Sequence, residues 1–146
     1  MGTRHRARQY AVQVLFQLDM TGDDPVEALA MFWEDRNPPA HVIRFTDELV
    51  RGCWQQREQL DSVLEESAAN WKVARMAAVD RNILRLALYE LLYGEGTPPA
   101  VVLDEAIEIA KKFGNADSGP FINGILDAVR RGLDDGSLRK APQQGS

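Results

Sequence analysis

Cysteine is almost missing from these 146 residues: Cys53 stands alone, and histidine occurs only as His5 and His41. A single cysteine excludes a disulfide framework and any structural zinc site built on cysteine pairs. Neither histidine has a carboxylate or thiol at metal-ligand spacing, so no metal centre is expected. Long apolar runs are missing too. The longest stretch without a charged side chain is the ten residues Gln9–Leu18, about half of what a bilayer-spanning helix needs. That stretch follows arginines, as a secretory signal does. Gln13 and Gln17 interrupt it, however, and no small-residue cleavage site follows. The expectation is a cytoplasmic protein with no membrane contact. Phosphate-cradling Gly-x-Gly-x-x-Gly and Walker-type loops are absent, and no cofactor is expected.

No segment alternates apolar and polar residues for long enough to build a sheet. Helical spacing is present instead. Ala11, Val14, Leu15 and Leu18 share one helical face, and Thr21 to Pro25 stops that helix and starts another, with Asp24 as N-cap and Pro25 at the first position. Helix two carries Val26, Leu29, Ala30 and Trp33. After Asn37-Pro38-Pro39, helix three carries Val42, Phe45, Leu49, Val50 and Cys53. Helix four carries Leu60, Val63 and Leu64 and is expected to end near Asn70-Trp71. Met76 to Tyr93 is apolar around most of its circumference, which predicts a central helix packed on several sides. The turn Gly94 to Pro99 leads to a helix with Leu103, Ala106, Ile107, Ala110 and Phe113 on one face, closed by Lys111, Lys112 and Gly114. A last helix carries Phe121, Ile122, Ile125, Leu126, Val129 and Leu133. The fold class is therefore all-α, with about seven helices. Residues 1–70 and 71–135 are each long enough for a small bundle, but the connections are too short to separate domains. One domain over 1–135 is expected, followed by a mobile polar tail at 136–146.

Catalytic chemistry is hard to find in this chain. Asp117-Ser118-Gly119-Pro120 is similar in letters to the nucleophile loop of trypsin-like proteases, whose paired barrels a helical chain cannot supply. Ser118 reads as the N-cap of the last helix, its hydroxyl within reach of the Phe121 N–H. Asp104 and Glu108 lie one turn apart, but acids favour helix N-terminal halves, and Glu108 pairs with Lys112 at i, i+4. No enzyme is expected.

Charge is distributed unevenly around a net value of −5. Residues 1–18 hold Arg4, Arg6 and Arg8 and no acid, whereas Asp19 to Ser67 hold twelve acids and four bases. Cations at a helix start oppose the macrodipole, so helix stability does not account for them. Arg8 and Phe16 project near one side, with Gln13 and Gln17 adjacent. Guanidinium, aromatic and amide groups together suit single-stranded RNA through phosphate contact, stacking and base-edge hydrogen bonds. A solvated basic start, with Phe16 in the core, is the plainer alternative.

Four stretches together carry a family resemblance: Arg4-His5-Arg6-Ala7-Arg8 with Ala11 to Phe16; Arg81 to Leu91; Asp104 to Gly114; and Phe121 to Asp127. In order, spacing and length they resemble the NusB family of bacterial transcription antitermination factors, up to about Leu133. The resemblance implies two small perpendicular helical bundles with a seventh helix. It also implies binding of boxA RNA in ribosomal-RNA leader transcripts together with NusE, a small-subunit ribosomal protein, within an RNA polymerase complex containing NusA and NusG. It places RNA contacts on Arg4, Arg6, Arg8 and Phe16, and on Asp117, Ser118 and Phe121 before and within the last helix. It places the NusE-facing acid on Asp80. Asp80 and Arg81, in the first turns of an otherwise apolar helix, read as exposed charge beside a buried stripe, as suits the rim of a protein interface. His5 within the arginine run, Phe16 in place of a tyrosine, and Gly119-Pro120 in the loop depart from the family pattern. Two other readings share the fold. One is the N-terminal module of a ribosomal-RNA cytosine methyltransferase, for which this sequence has no cofactor loop. The other is a helical adaptor that binds only protein, or a homodimer that buries the basic end.

Overall fold

The computed structural model describes residues 2–69, 71–94 and 96–140. Met1, Asn70, Glu95 and the final six residues of the expected tail, 141–146, lie outside the described residues. Seven α-helices and one 3-10 turn occur among the described residues: α1 (Gly2–Thr21), α2 (Pro25–Trp33), α3 (Ala40–Gln55), α4 (Arg57–Ser67), the 3-10 turn Val73–Arg75, α5 (Ala78–Tyr93), α6 (Pro99–Phe113) and α7 (Ser118–Asp135). No strand interrupts them.

Helices α1, α2 and α3 pack on one another, as do α5, α6 and α7. α1 lies against α5 across the two groups, and α4 contacts α5 and α7. One continuous apolar core results, running from Ala11, Leu15 and Leu18 through Leu60, Leu64, Ile83 and Leu88 to Ile122 and Leu126. The capping of α2 is as expected. Asp24 accepts the Glu27 N–H at 3.2 Å, and Pro25 occupies the first helical turn, where its missing N–H costs nothing.

Differences from the sequence expectation fall at helix ends and edges. α2 buries Ala28 and Leu29 but leaves Val26 and Ala30 exposed, because it covers α1 and α3 with a single narrow edge. α4 stops at Ser67, before the expected Asn70-Trp71, and Ala69 turns the chain with φ +48°. In α6, Val102 and Ile109 join the core, whereas Ile107 and Phe113 are half-buried. Glu108 meets Lys111 at 3.6 Å rather than Lys112. Beyond α7, Gly136 adopts the left-handed φ of +84°. The Leu138 N–H then returns to the Gly132 carbonyl at 2.9 Å, and Leu138 packs on the core.

α5 is central, as its apolar circumference implies: every residue from Asn82 to Leu88 is buried. Two of these are polar, and both are satisfied. Arg85 donates to both Asp61 oxygens at 2.7 and 2.9 Å and to Asp19 at 3.3 Å, while Asn82 donates to Asp19 at 2.9 Å. Unpaired, such groups would each cost several kcal/mol, on the order of the protein's whole stability when summed. Paired, they hold α1, α4 and α5 in one register.

Candidate nucleic-acid interface

The three arginines of α1 do not form one patch. Successive residues of a helix are turned by about 100°, so positions two apart point to nearly opposite sides. Arg4 is exposed and lies over the Phe45 ring, 4.5 Å from its centroid, on the α3 side. Arg6 is exposed on another side, where its Nε donates to the Tyr10 hydroxyl at 3.1 Å. Arg8 points inward, a correction to its expected position beside Phe16. Its Nε and Nη2 donate to the two Glu90 oxygens, both at 2.8 Å, and only 4% of the residue is exposed. Burial works against its charge, but the Glu90 bonds and the nearby Glu105 outweigh it and keep the guanidinium protonated. Its place on the inner side of α1, one turn before Val12, decides this. A neutral residue there would leave Glu90 unpaired.

Phe16 is 36% exposed, so its ring stands at the surface rather than in the core. Gln9, Gln13 and Gln17 are half-buried along the same outer face, between exposed Arg6 and Met20. Gln9 ties this face to α6. Its amide nitrogen donates to His5 Nε2 at 2.8 Å, and its oxygen accepts from Lys112 Nζ at 3.1 Å. With Nε2 accepting, His5 donates from Nδ1 to Glu105 at 2.6 Å. From the sequence, Lys112 reads only as a dipole partner and as an i, i+4 partner of Glu108. The Lys111-Lys112 pair was the sign in the sequence of a further cation, from α6, near this surface.

The α6–α7 loop differs from expectation at Ser118. The helix cap is Asp117, whose side chain makes no capping bond, and Ser118 is already inside α7 and fully buried. Its hydroxyl donates to Asp80 Oδ1 at 2.7 Å and accepts the Asn115 N–H at 3.0 Å. Phe121 instead donates its N–H to the Asp117 carbonyl at 3.2 Å. The buried Asp80 carboxylate needs a donor, and Ser118 is the one that reaches it. Gly114 makes room for this arrangement, since a Cβ there would stand 2.4 Å from Ser118 Oγ. Asp117 is exposed. Phe121 is half-buried, with its ring edge-on to Trp71 at 5.3 Å.

Asp80 is correspondingly not an exposed rim charge: it is 8% exposed and faces Ser118. Arg81, beside it, turns to Asp19 at 2.6 Å and to the Met76 carbonyl at 3.2 Å. Both expectations of exposed charge at the start of α5 are corrected. A helix packed on several sides has little outer surface left, and these groups satisfy the backbone and carboxylates of neighbouring segments. Among the described residues no cluster of three or more His, Cys, Asp or Glu could hold a metal ion, and no helix is long and apolar enough to cross a membrane.

Fold and surface together define a small all-helical protein whose first helix presents amides, an aromatic ring and cations beside a short loop. The chain belongs to the NusB family: that family's model matches residues 5–131. It is 45% identical over 129 residues to the transcription antitermination protein NusB of Desulfatibacillum aliphaticivorans, covering 88% of this chain and 90% of that one. Against the NusB of Symbiobacterium thermophilum it is 44% identical over 139 residues, with coverage of 90% and 91%. Among solved structures, T. maritima NusB superposes with a TM-score of 0.82 at 32% identity, over 92% of this chain and 97% of that one. A NusB crystallised with NusE and double-stranded RNA superposes with a TM-score of 0.84 at 28% identity, over 91% and 99%.

Proposed function

We propose that this chain is a cytoplasmic, non-enzymatic transcription antitermination factor whose residues 1–135 act as one RNA-binding domain. In this reading it binds boxA-type RNA of ribosomal-RNA leader transcripts together with NusE, inside an RNA polymerase complex that includes NusA and NusG. The observation that carries the RNA reading is the outer face of α1, where Arg6, Gln9, Gln13, Phe16 and Gln17 line up with Lys112 bonded to Gln9. Cations there meet phosphates, amides meet base edges, and Phe16 supplies a stacking surface. Arg4, on the Phe45 side, extends the cationic rim. Family membership and the solved assembly of NusB with NusE and double-stranded RNA support NusE and RNA as partners.

Arg8 contributes from inside, by holding α1 against Glu90 on α5. Ser118 sets the position of the loop that carries Asp117 and of the α7 turn that carries Phe121. Asp80 and Arg81 are engaged within the protein, where they hold the loops on either side of α5.

The test is fluorescence anisotropy with a boxA-type oligonucleotide, with and without NusE. Arg6→Ala should weaken binding and lower the dependence of log K on log salt by up to ~0.7 for one lost contact to a single strand. Phe16→Ala should weaken binding with the slope unchanged, because stacking releases no counterions. Wild-type affinity in an Arg4→Ala/Arg6→Ala/Phe16→Ala triple variant would refute this surface.

A further inference from the structure

Two adjacent residues at the start of α5 each hold a different loop. Asp80 accepts the Ser118 hydroxyl, which in turn fixes Asn115 and the α6–α7 loop. Arg81 donates to the Met76 carbonyl and fixes the segment between α4 and α5. That segment is held at a second point, where the Val73 N–H donates to Glu65 at 3.0 Å. Val73 and Met76 are buried beneath it.

This segment presents an uncommon outer surface for an acidic protein. Trp71 is 50% exposed, and Lys72 and Arg75 are exposed beside it. From Trp71 to Ala78 the chain carries these two cations and no acid, directly after the acid-rich stretch that ends near Ser67. Ala69, just before it, holds a left-handed φ of +48°. A side chain with a Cβ tolerates this conformation only at a cost, and such outliers persist where neighbouring contacts over-determine them. The segment also touches the first turn of α7, through the edge-on Trp71–Phe121 pair. Trp71 is therefore a preorganised aromatic surface, continuous with the Asp117 cap and the first turn of α7 that carries Phe121.

We infer that the Trp71–Arg75 segment is a second RNA subsite, taking nucleotides that flank those bound by α1 and the α6–α7 loop. The occupant is single-stranded RNA. An exposed indole flanked by two cations matches a base and its phosphates, and the surface joins the loop already read as RNA-facing. This inference rests on the RNA reading of the previous section and extends it to a surface on the far side of Phe121.

The experiment compares an unstructured boxA-type oligonucleotide with the same RNA lengthened at either end by a pyrimidine tract. Lengthening should tighten binding to wild type. Trp71→Ala should remove about tenfold of affinity for the lengthened RNA and leave the short RNA unaffected, while Trp71→Phe retains most of the gain. Lys72→Ala/Arg75→Ala should lower the salt slope by up to ~0.7 per lost contact, for the lengthened RNA alone. Circular dichroism of each variant should match wild type, because these side chains are exposed. The inference is overturned if wild type binds both RNAs equally, or if Trp71→Ala weakens both to the same degree. It is overturned equally if Trp71→Ala reduces only NusE association, which would make the surface a protein contact. Binding of neither RNA by wild type would instead refute the functional reading on which this one rests.

Discussion

Replacing Arg8 by alanine separates the two roles that an arginine in this position can have. Its guanidinium makes two bonds of 2.8 Å to Glu90, and the two side chains are 5% and 7% exposed. Val12, Ile83, Leu86, Ala87 and Glu105 line a small cavity together with the pair. Removing one partner of a buried ion pair leaves the other charge desolvated and unpaired, at a cost of about 3–5 kcal/mol. Against a total stability of about 5–15 kcal/mol this is a large fraction. For a chain of this size it lowers Tm by on the order of 10 °C. Urea unfolding at neutral pH measures it directly. Arg8→Met/Glu90→Leu, which removes both charges and keeps the volume apolar, should recover most of the loss. RNA binding measured where Arg8→Ala remains folded should keep the wild-type salt slope, unlike Arg6→Ala. A stable Arg8→Ala protein with a lowered slope would refute the reasoning, and would mean that the guanidinium leaves Glu90 to meet RNA.

Asp117→Asn should tighten RNA binding, most visibly at low salt. The carboxylate is exposed in the loop proposed to face RNA and makes no capping bond, so only a dipole contribution of about 0.3–1 kcal/mol is lost. Weaker binding would show that the carboxylate accepts a hydrogen bond from a base. Burial alone would raise the Asp19 pKa, but bonds from Arg81 and Asn82 and the charge of Arg85 hold it below the ordinary carboxylate value. A folded-state pKa lower than the unfolded one means stability present above about pH 4 and lost as pH falls through the folded value. Asp19→Asn should therefore destabilise the protein at pH 7 and flatten the acid limb of a Tm-versus-pH curve; an unchanged limb would assign acid unfolding to other carboxylates. Burial raises the Cys53 thiol far above its ordinary range. Cys53 should stay unreactive to a thiol reagent such as DTNB in the native state and react on unfolding in denaturant; prompt native-state labelling would contradict the packing around α3.

The helices and the core were legible in the chain because they depend on local spacing. Ala11, Val14, Leu15 and Leu18 recur at helical intervals, and all four are fully buried. Asp24-Pro25 is a cap that needs only its own neighbours, and it forms. The run from Ile83 to Leu92, apolar around the helix, required a central position for α5 whatever surrounds it. Asp117 was also placed at the surface, whereas Phe16 was left open between surface and core, and the structure exposes it. The destinations of the charged groups were decided by the tertiary structure, because each depends on a residue far away in the chain. Arg8 finds Glu90 across 82 positions, His5 finds Glu105 across 100, and Ser118 finds Asp80 across 38. Local propensity favours Ser118 as a cap and Arg8 as a solvated cation, and the structure realises neither. A buried carboxylate without a donor costs more than either local preference returns, so Glu90 and Asp80 draw those side chains inward. Periodicity tells which face of a helix is apolar, but the partner of a buried charge is settled only when the helices pack.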